Sequence, residues 1–242
     1  DDDRDLDLVG LLAERLGVST ETIRRDLAEL DAKGLINRTY GGAVRPITYE
    51  PALAERQALL VEERERIAEA AVGKLERSDI LMIGGGATTL HFARRLASVN
   101  EPLTVITHAF SIAMTLSVNS QITVLMLPGL YDGREGLIHG GDTVEALGRF
   151  RANKAFLGAT GLTAEGPNDA AIGPGLIYGA MMRRASETYI LADHSKFGRP
   201  SLTVYGLWSG TTTLITDTAP EGELAMAIER AGASVLVADG PP

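Results

Sequence analysis

The sequence contains no cysteine, few aromatic residues and no long apolar run. Zero cysteines among 242 residues exclude a disulfide framework, a cysteine-ligated zinc site and thiol catalysis, and they fit a reducing cytosol. No apolar run approaches the roughly 20 residues that span a bilayer, and no secretory signal is visible. A net positive charge is also missing, since the formal charge is −9 at pH 7. These absences predict a cytoplasmic globular protein that avoids membranes, and the acidity argues at first against binding to nucleic acid.

Residues 1–46 have the pattern of a winged helix-turn-helix domain. A short helical pattern over residues 11–16 ends at a glycine, and a capped second helix then runs to about residue 33. Residues 35–46 read as two short strands joined by a Gly-Gly turn. The second helix is expected to bury one apolar face, formed by Ile23, Leu27 and Leu30.

Residues 62–242 alternate between short apolar strands and helical stretches, and residues 47–61 read as a linker. This alternation is typical of a mostly parallel α/β sheet covered on both faces, which binds ligands beyond the carboxyl ends of its strands. The predicted strands are 80–83, 103–107, 122–127, 155–159, 189–192, 213–216 and 234–238. The predicted helices are 62–75, 88–96, 111–116, 143–150, 176–187 and 222–231.

A long, ungapped motif lies in the N-terminal segment. Residues 12–27 read LAERLGVSTETIRRDL, and residues 34–43 read GLINRTYGGA. Both stretches resemble the signature of DeoR-family transcription regulators. The resemblance implies that this domain binds double-stranded operator DNA.

The buried face of the second helix leaves its other side for DNA. Thr22, Arg25 and Glu21 would then project where a recognition helix meets base edges in the major groove. Arginine can bind guanine or phosphate, and threonine can contact a thymine methyl group. The alternative is that the arginine pair is only a solvated helix face, which its place in the motif disfavours. The candidate DNA-binding residues are Ser19, Thr20, Glu21, Thr22, Arg24, Arg25, Arg38, Tyr40 and Arg45.

The acidic charge is unevenly distributed along the chain. Residues 1–10 carry five aspartates and one arginine, whereas residues 11–46 carry six basic and five acidic side chains. The overall acidity therefore does not exclude DNA. A helix normally precedes the DeoR motif, and the Asp-rich start, which begins at Asp1 rather than Met, does not resemble it. We therefore expect an N-terminus that is truncated or partly disordered, with that first helix missing, which puts DNA binding by this chain in question.

The rest of the chain, from about residue 56 to 237, resembles the DeoR sensor domain. The resemblance implies a fold akin to ribose-5-phosphate isomerase and a phosphorylated sugar or sugar derivative as the effector. Its most specific element is residues 193–199, DHSKFGR, and the GGGATT loop over residues 84–89 stands where the family has D-S-G-T-T-T. A lysine and a glycine-rich loop before a helix both suit a phosphate group. The candidate effector-binding residues are Gly85, Gly86, Thr88, Thr89, His108, Lys154, Ser195 and Lys196.

Several loops depart from the family pattern. Gly84 and Gly85 replace an aspartate and a serine, His108 replaces an asparagine, and Asn153 replaces an aspartate. Residues 169–175 replace the start of a helix that contains a glutamate. We therefore expect the phosphate-binding end of the pocket to be retained and the sugar-binding end to be altered.

The sequence favours a repressor of carbohydrate or polyol metabolism genes whose operator binding is modulated by a phosphorylated metabolite. Effector binding would act through the linker or the interface of a homodimer or homotetramer, and neither a cofactor nor a metal site is predicted. One alternative is a regulator with an altered pocket that responds to another ligand or to none. A second is a sugar-phosphate isomerase or deaminase, which would need a carboxylate near the substrate carbon, and Gly84 removes one candidate.

Overall fold

The computed structural model of the chain describes residues 8–32, 37–39, 42–44 and 50–238. The chain divides into two units, residues 1–49 and 50–242. The division falls inside the predicted linker, so residues 50–61 belong to the second unit rather than to a connection between the two.

In the first unit two helices are followed by a β-hairpin, as the sequence predicted. The helices are α1 (Leu8–Leu16) and α2 (Thr20–Ala32), and the strands are β1 (Asn37–Thr39) and β2 (Gly42–Val44). The strands pair antiparallel. Helix α1 begins at Leu8, three residues before the helical pattern that was predicted over residues 11–16.

The two helices share a small apolar core, formed by Val9, Ala13, Ile23 and Leu27. Leu30 was predicted to lie on this face, but 36% of it is exposed. The buried side of α2 therefore ends at Leu27.

The second unit is larger and mixes helices with strands. Its helices are α3 (Leu53–Arg56), α4 (Val61–Val72), α5 (Ala87–Leu96), α6 (Phe110–Leu116), α7 (Gly141–Leu147), α8 (Ile172–Arg184) and α9 (Gly222–Arg230), with a 3-10 turn at His194–Lys196. Its strands are β3 (Ile80–Ile83), β4 (Leu103–Thr107), β5 (Ile122–Met126), β6 (Leu130–Asp132), β7 (Leu137–His139), β8 (Ala152–Gly158), β9 (Gly161–Leu162), β10 (Pro167–Asp169), β11 (Ala185–Leu191), β12 (Thr203–Val204), β13 (Thr212–Thr216) and β14 (Ser234–Val237).

Seven of these strands form one parallel sheet in the order β14-β13-β11-β8-β3-β4-β5. After β3 the chain builds β4 and β5 on one side, and it then crosses to build β8 and the remaining strands on the other. The direction of winding therefore reverses between β3 and β8. In open parallel sheets, ligands bind beyond the carboxyl ends of the strands at such a switch point.

Strand residues alternate between two apolar cores, one on each face of the sheet. Leu81 and Ile83 of β3 lie in one core, and Met82 between them lies in the other. The Phe156 ring of β8 stacks on Tyr189 and packs at a tilt against Phe92 in the first core. This two-sided burial explains why the strands read as continuous apolar runs, and it confirms the predicted fold class.

The differences from the predicted elements lie in short or adjoining segments. The helix predicted over residues 176–187 ends at Arg184, because residues 185–191 pair with β8 as strand β11. The β6–β7 hairpin and the small sheet β12-β10-β9 were not predicted. Strands of two or three residues have no measurable periodicity, so their sequences read as loops.

Candidate functional site

Helix α2 begins with a side-chain cap. The Thr22 N–H donates to Ser19 Oγ over 3.1 Å, and the two hydroxyl oxygens lie 2.9 Å apart. This cap satisfies an amide at the helix start that has no partner within the helix. Ser19 and Thr22 were predicted as DNA contacts, and here they also fix where α2 begins.

The exposed side of α2 carries charged side chains. Arg24 lies 3.8 Å from Glu21, and Arg25 lies 3.8 Å from Asp26, with more than half of each arginine side chain exposed. Ion pairs this exposed contribute little to stability, so both guanidinium groups can exchange these partners for phosphates.

The other predicted DNA-binding residues are less fully described. Thr20 is exposed at the first position of α2, and Arg38 lies in β1 of the hairpin. Tyr40 and Arg45 lie outside the described residues.

Five charged residues gather beyond the carboxyl ends of the sheet strands in the second unit, and we call them the charged cluster. They are Glu50, Arg56, Glu135, Asp169 and Lys196. Glu50 Oε1 lies 3.0 Å from Lys196 Nζ and 3.2 Å from Arg56 Nη1. Arg56 Nη2 also donates to Glu135 Oε2 over 2.6 Å. The side chains of Glu50, Arg56, Glu135 and Lys196 are at most 22% exposed.

The 3-10 turn after β11 positions Lys196. Asp193 caps this turn, because its Oδ1 accepts hydrogen bonds from the backbone N–H (3.1 Å) and from the hydroxyl of Ser195. Its other oxygen accepts from Arg64 Nε of α4 over 3.1 Å. Arg64 Nη1 in turn donates to the Arg56 carbonyl oxygen. The Arg64–Asp193 pair therefore holds together the two segments that supply the cations of the charged cluster.

Burial perturbs the protonation of the charged cluster. It raises the pKa of Asp169 to about 6, against opposing effects from the Ala171 N–H and Arg56. Burial also raises the pKa of Glu135 and lowers the pKa of Lys196. Desolvation outweighs the neighbouring opposite charges in each case, which is typical of a site poised for a polar ligand.

The partly buried Asp169 carboxyl gives the stability of the protein a testable dependence on pH. Because the pKa of folded Asp169 lies above its usual 3.8, Asp169 favours folding fully below about pH 4, and this contribution is lost as the pH rises through 6. In Asp169→Asn it is absent. The unfolding free energy of the wild type, relative to the variant, should therefore fall by on the order of 2–3 kcal/mol between pH 4 and 7. Urea titrations across this range measure it, and a constant difference would contradict the assignment.

At the switch point of the sheet, backbone groups form hydrogen bonds with buried side chains. The Gly85 N–H donates to His108 Nε2 over 3.3 Å, and His108 Nδ1 donates to the Ile138 carbonyl oxygen over 2.7 Å. The Tyr178 hydroxyl donates to the Gly85 carbonyl oxygen over 3.0 Å. Burial lowers the pKa of His108 to about 4, so the ring is neutral at physiological pH. With both ring nitrogens engaged, His108 connects the glycine loop to the β6–β7 hairpin.

Two protein-family models match this chain, one in each unit. The family described as the DeoR-like helix-turn-helix domain matches residues 8–48, and the DeoR C-terminal sensor domain matches residues 60–218. The chain belongs to the DeoR family. It is therefore a transcription regulator that joins a DNA-binding unit to a sensor unit for a small molecule, and the enzyme alternative is wrong.

Curated relatives of this DeoR-family chain are named as transcription regulators. The HTH-type transcriptional repressor GlcR of Bacillus subtilis is 29% identical over 93% of this chain and 87% of its own length. The regulator FruR of the same organism is 32% identical, over 84% of this chain and 81% of its own. The glycerol-3-phosphate regulon repressor of Escherichia coli is 30% identical, over 86% of this chain and 83% of its own.

Solved structures with a similar chain path include an enzyme. Ribose-5-phosphate isomerase A of Methanocaldococcus jannaschii is 18% identical, and the match covers 56% of this chain and 54% of the isomerase, with a TM-score of 0.42.

The described helices include none with the length and apolar character of a membrane-spanning segment. Among the residues that the structure describes, no group of histidine, aspartate and glutamate side chains is placed to hold a metal ion.

The glycine loop of this DeoR-family sensor is filled where the family pattern has side chains. A Cβ atom at Gly84 would lie 2.7 Å from Tyr178 Cε1, and one at Gly85 would lie 2.1 Å from Leu137 Cδ2. These neighbours occupy the space that the family aspartate and serine would need. The wall of the pocket at this loop is therefore apolar and aromatic.

The remaining residues of that loop are engaged in starting helix α5. Gly86 adopts a φ of 132° just before the helix, and the Thr89 hydroxyl donates to the Gly86 carbonyl oxygen over 3.1 Å. Thr88 and Thr89 are both buried. With its hydroxyl already committed, Thr89 contributes to the shape of the loop rather than offering a free donor.

The structure separates Lys154 from the other predicted effector residues. Lys154 lies opposite Leu81 near the starts of their strands, and its Nζ donates to Asp79 Oδ2 over 2.7 Å. Burial lowers the pKa of Lys154, but Asp79 and Glu76 outweigh it and raise the pKa overall. Lys154 therefore lies at the amino edge of the sheet, opposite the charged cluster, and we leave it out of the proposed site. His108 is also left out as a direct contact, because its ring is fully buried.

Sequence reasoning missed most of the charged cluster. Glu50 and Arg56 fell in the predicted linker, where no pattern separates them from exposed Glu55. Glu135 lies in the turn of the unpredicted β6–β7 hairpin. No signal in the sequence identifies these three residues. Only the fold shows that their two segments approach the DHSKFGR loop.

Proposed function

We propose that this DeoR-family regulator represses genes of carbohydrate or polyol metabolism, and that a phosphorylated sugar or related metabolite at the charged cluster modulates its operator binding. The observation that carries the proposal is the pair of cations on one buried carboxylate oxygen: Lys196 Nζ at 3.0 Å and Arg56 Nη1 at 3.2 Å. Two such donors converging at one point form an anion site. Relatives named as repressors, one of them of the glycerol-3-phosphate regulon, support this function.

The acidic members of the charged cluster fit the rest of such a ligand. Glu135 and Asp169 are carboxyl groups close to Arg56, and they can accept hydrogen bonds from sugar or polyol hydroxyls. Gly85 and Gly86 form the neighbouring backbone, and Ser195 holds the turn that carries Lys196. We propose that these residues together surround the effector.

We propose that the exposed side of α2 binds the operator in the major groove. Thr20, Glu21, Thr22, Arg24 and Arg25 form this surface, and Ser19 orients the start of the helix. A single winged helix binds DNA weakly, so a homodimer or homotetramer that reads paired half-sites is part of the proposal. The protein would act in the cytoplasm.

Two substitutions test whether operator binding belongs to the first unit and effector binding to the second. Genome-wide mapping of bound DNA first supplies the operator, and a thermal-shift screen of sugar and polyol phosphates supplies the effector. Arg25→Ala should weaken operator binding by about 1–3 kcal/mol and leave the effector-induced shift in Tm unchanged. Lys196→Ala should abolish that shift and leave operator affinity nearly intact.

A matched control is Arg149→Ala, which removes an arginine that is 74% exposed on the sensor unit. It should change neither property. Equal loss of both properties in Arg25→Ala and Lys196→Ala would contradict the assignment. Absence of any shift across the phosphate panel would overturn the effector class.

A further inference from the structure

Glu50 occupies the anion site that the proposed effector would need. Its carboxylate lies on Lys196 and Arg56, and only 9% of its side chain is exposed. Its backbone carbonyl oxygen accepts a hydrogen bond from Arg134 Nη2 over 3.2 Å. A carboxylate held by two cations uses the same donors that a phosphate group would use.

The charge of the cluster does not allow both anions to bind together. Two cations, Arg56 and Lys196, already face three acidic groups, Glu50, Glu135 and Asp169. A phosphate group added beside Glu50 would place up to two more negative charges in a partly desolvated site, where like charges repel strongly. The arrival of an anion on Lys196 and Arg56 therefore requires the departure of the Glu50 carboxylate.

Glu50 also has a special position along the chain. It is the first residue of the sensor unit, and the DNA-binding unit ends at residue 49. The short helix α3 follows at once and leads to Arg56, the second cation of the site. A displacement of Glu50 therefore acts directly on residues 50–57, the first segment of the sensor unit, which follows the DNA-binding unit in the chain.

We propose that Glu50 is an internal competitor of the effector: an anionic group displaces its carboxylate from Lys196 and Arg56, and this release couples ligand binding to the DNA-binding unit. This inference rests on the proposed function, because it requires an anionic effector at the charged cluster. In the ligand-free protein Glu50 holds residues 50–57 against the rest of the sensor unit. In the bound protein the phosphate group takes over both cations, and the segment is released.

Binding of inorganic phosphate to the full chain, measured by calorimetry, tests the competition. A site that is open in about a tenth of the molecules binds about tenfold more weakly than a permanently open one. We expect Glu50 to leave the two cations in about a tenth of the wild-type molecules, so Glu50→Gln and Glu50→Ala should bind phosphate about tenfold more tightly than the wild type. Glu135→Gln is the matched control, because it removes a charge from Arg56 and leaves Glu50 on Lys196, so its gain should be much smaller.

Hydrogen exchange of residues 50–57 gives a second readout. In the wild type, saturating phosphate should speed the exchange of these amides, and in Glu50→Ala the exchange should be fast without phosphate. The operator affinity of Glu50→Ala should equal that of the phosphate-saturated wild type, whichever direction the response takes.

The outcomes separate this inference from the proposed function. Equal phosphate affinities in the wild type, Glu50→Gln and Glu50→Ala would overturn the competition and leave the anion site standing. Equal gains in Glu50→Gln and Glu135→Gln would also overturn it, since a general charge effect would then explain both. No phosphate binding in any variant, including Glu50→Ala, would overturn the anionic effector and this inference together.

Discussion

Replacing Arg64 with methionine should lower the free energy of unfolding of the sensor unit by about 3–5 kcal/mol. Only 4% of the Arg64 side chain and none of the Asp193 side chain is exposed, and the Nε–Oδ2 distance is 3.1 Å. Without the guanidinium group, Asp193 becomes a buried carboxylate with no opposite charge on it. The loss is large because removing one partner leaves the desolvation cost of the other uncompensated.

The double variant Arg64→Met with Asp193→Asn separates charge from packing. It removes both charges, and the amide oxygen of the introduced asparagine can still accept the Ser195 N–H, so much of the lost stability should return. Urea unfolding of the full chain, followed by circular dichroism, measures both variants. A loss below about 1 kcal/mol in Arg64→Met, or no recovery in the double variant, would show that the pair does not act as a buried ion pair.

The second large effect is expected at the opposite edge of the sheet. Lys154 and Asp79 are each 5% exposed and lie 2.7 Å apart, and Asp79 also accepts the Glu76 N–H over 2.8 Å. Lys154→Met should cost about 3–5 kcal/mol of unfolding free energy, because the Asp79 carboxylate is left buried without its cation. The effector should nevertheless raise the Tm of Lys154→Met by as much as it raises the Tm of the wild type.

Lys154→Met together with Asp79→Asn is the corresponding control, and it should recover stability. The same urea titration and thermal-shift assay apply. If Lys154→Met kept its stability but lost the effector response, Lys154 would belong to the effector site after all, as the sequence first indicated.

The sheet was predictable because burial on both faces gives each strand a continuous apolar sequence. Residues 80–83 and 103–107 are strands with the predicted ends, and the alternation of strands with helices fixed the fold class. The hairpin that carries Glu135 was not predictable, because its strands contain only three residues each.

The candidate site was only partly predictable: the predicted strands already place Lys154 before one strand and Lys196 after another, but the family resemblance grouped the two lysines without regard to the edge of the sheet. Lys196 follows β11 and reaches the charged cluster, whereas Lys154 lies near the start of β8 and faces the other edge. Glu50 and Arg56 come from a segment without periodicity, and only its folding onto the sensor unit brings them to Lys196.

The filled glycine loop restricts how this regulator can evolve toward a different ligand. An aspartate at Gly84 would collide with Tyr178, and a serine at Gly85 would collide with Leu137. The Leu137 side chain is flexible and can turn away, but the rigid Tyr178 ring cannot, and a smaller residue at 178 alone would leave a cavity. An acidic side chain at position 84 therefore requires a coupled pair of mutations, and either single substitution first passes through a less stable protein.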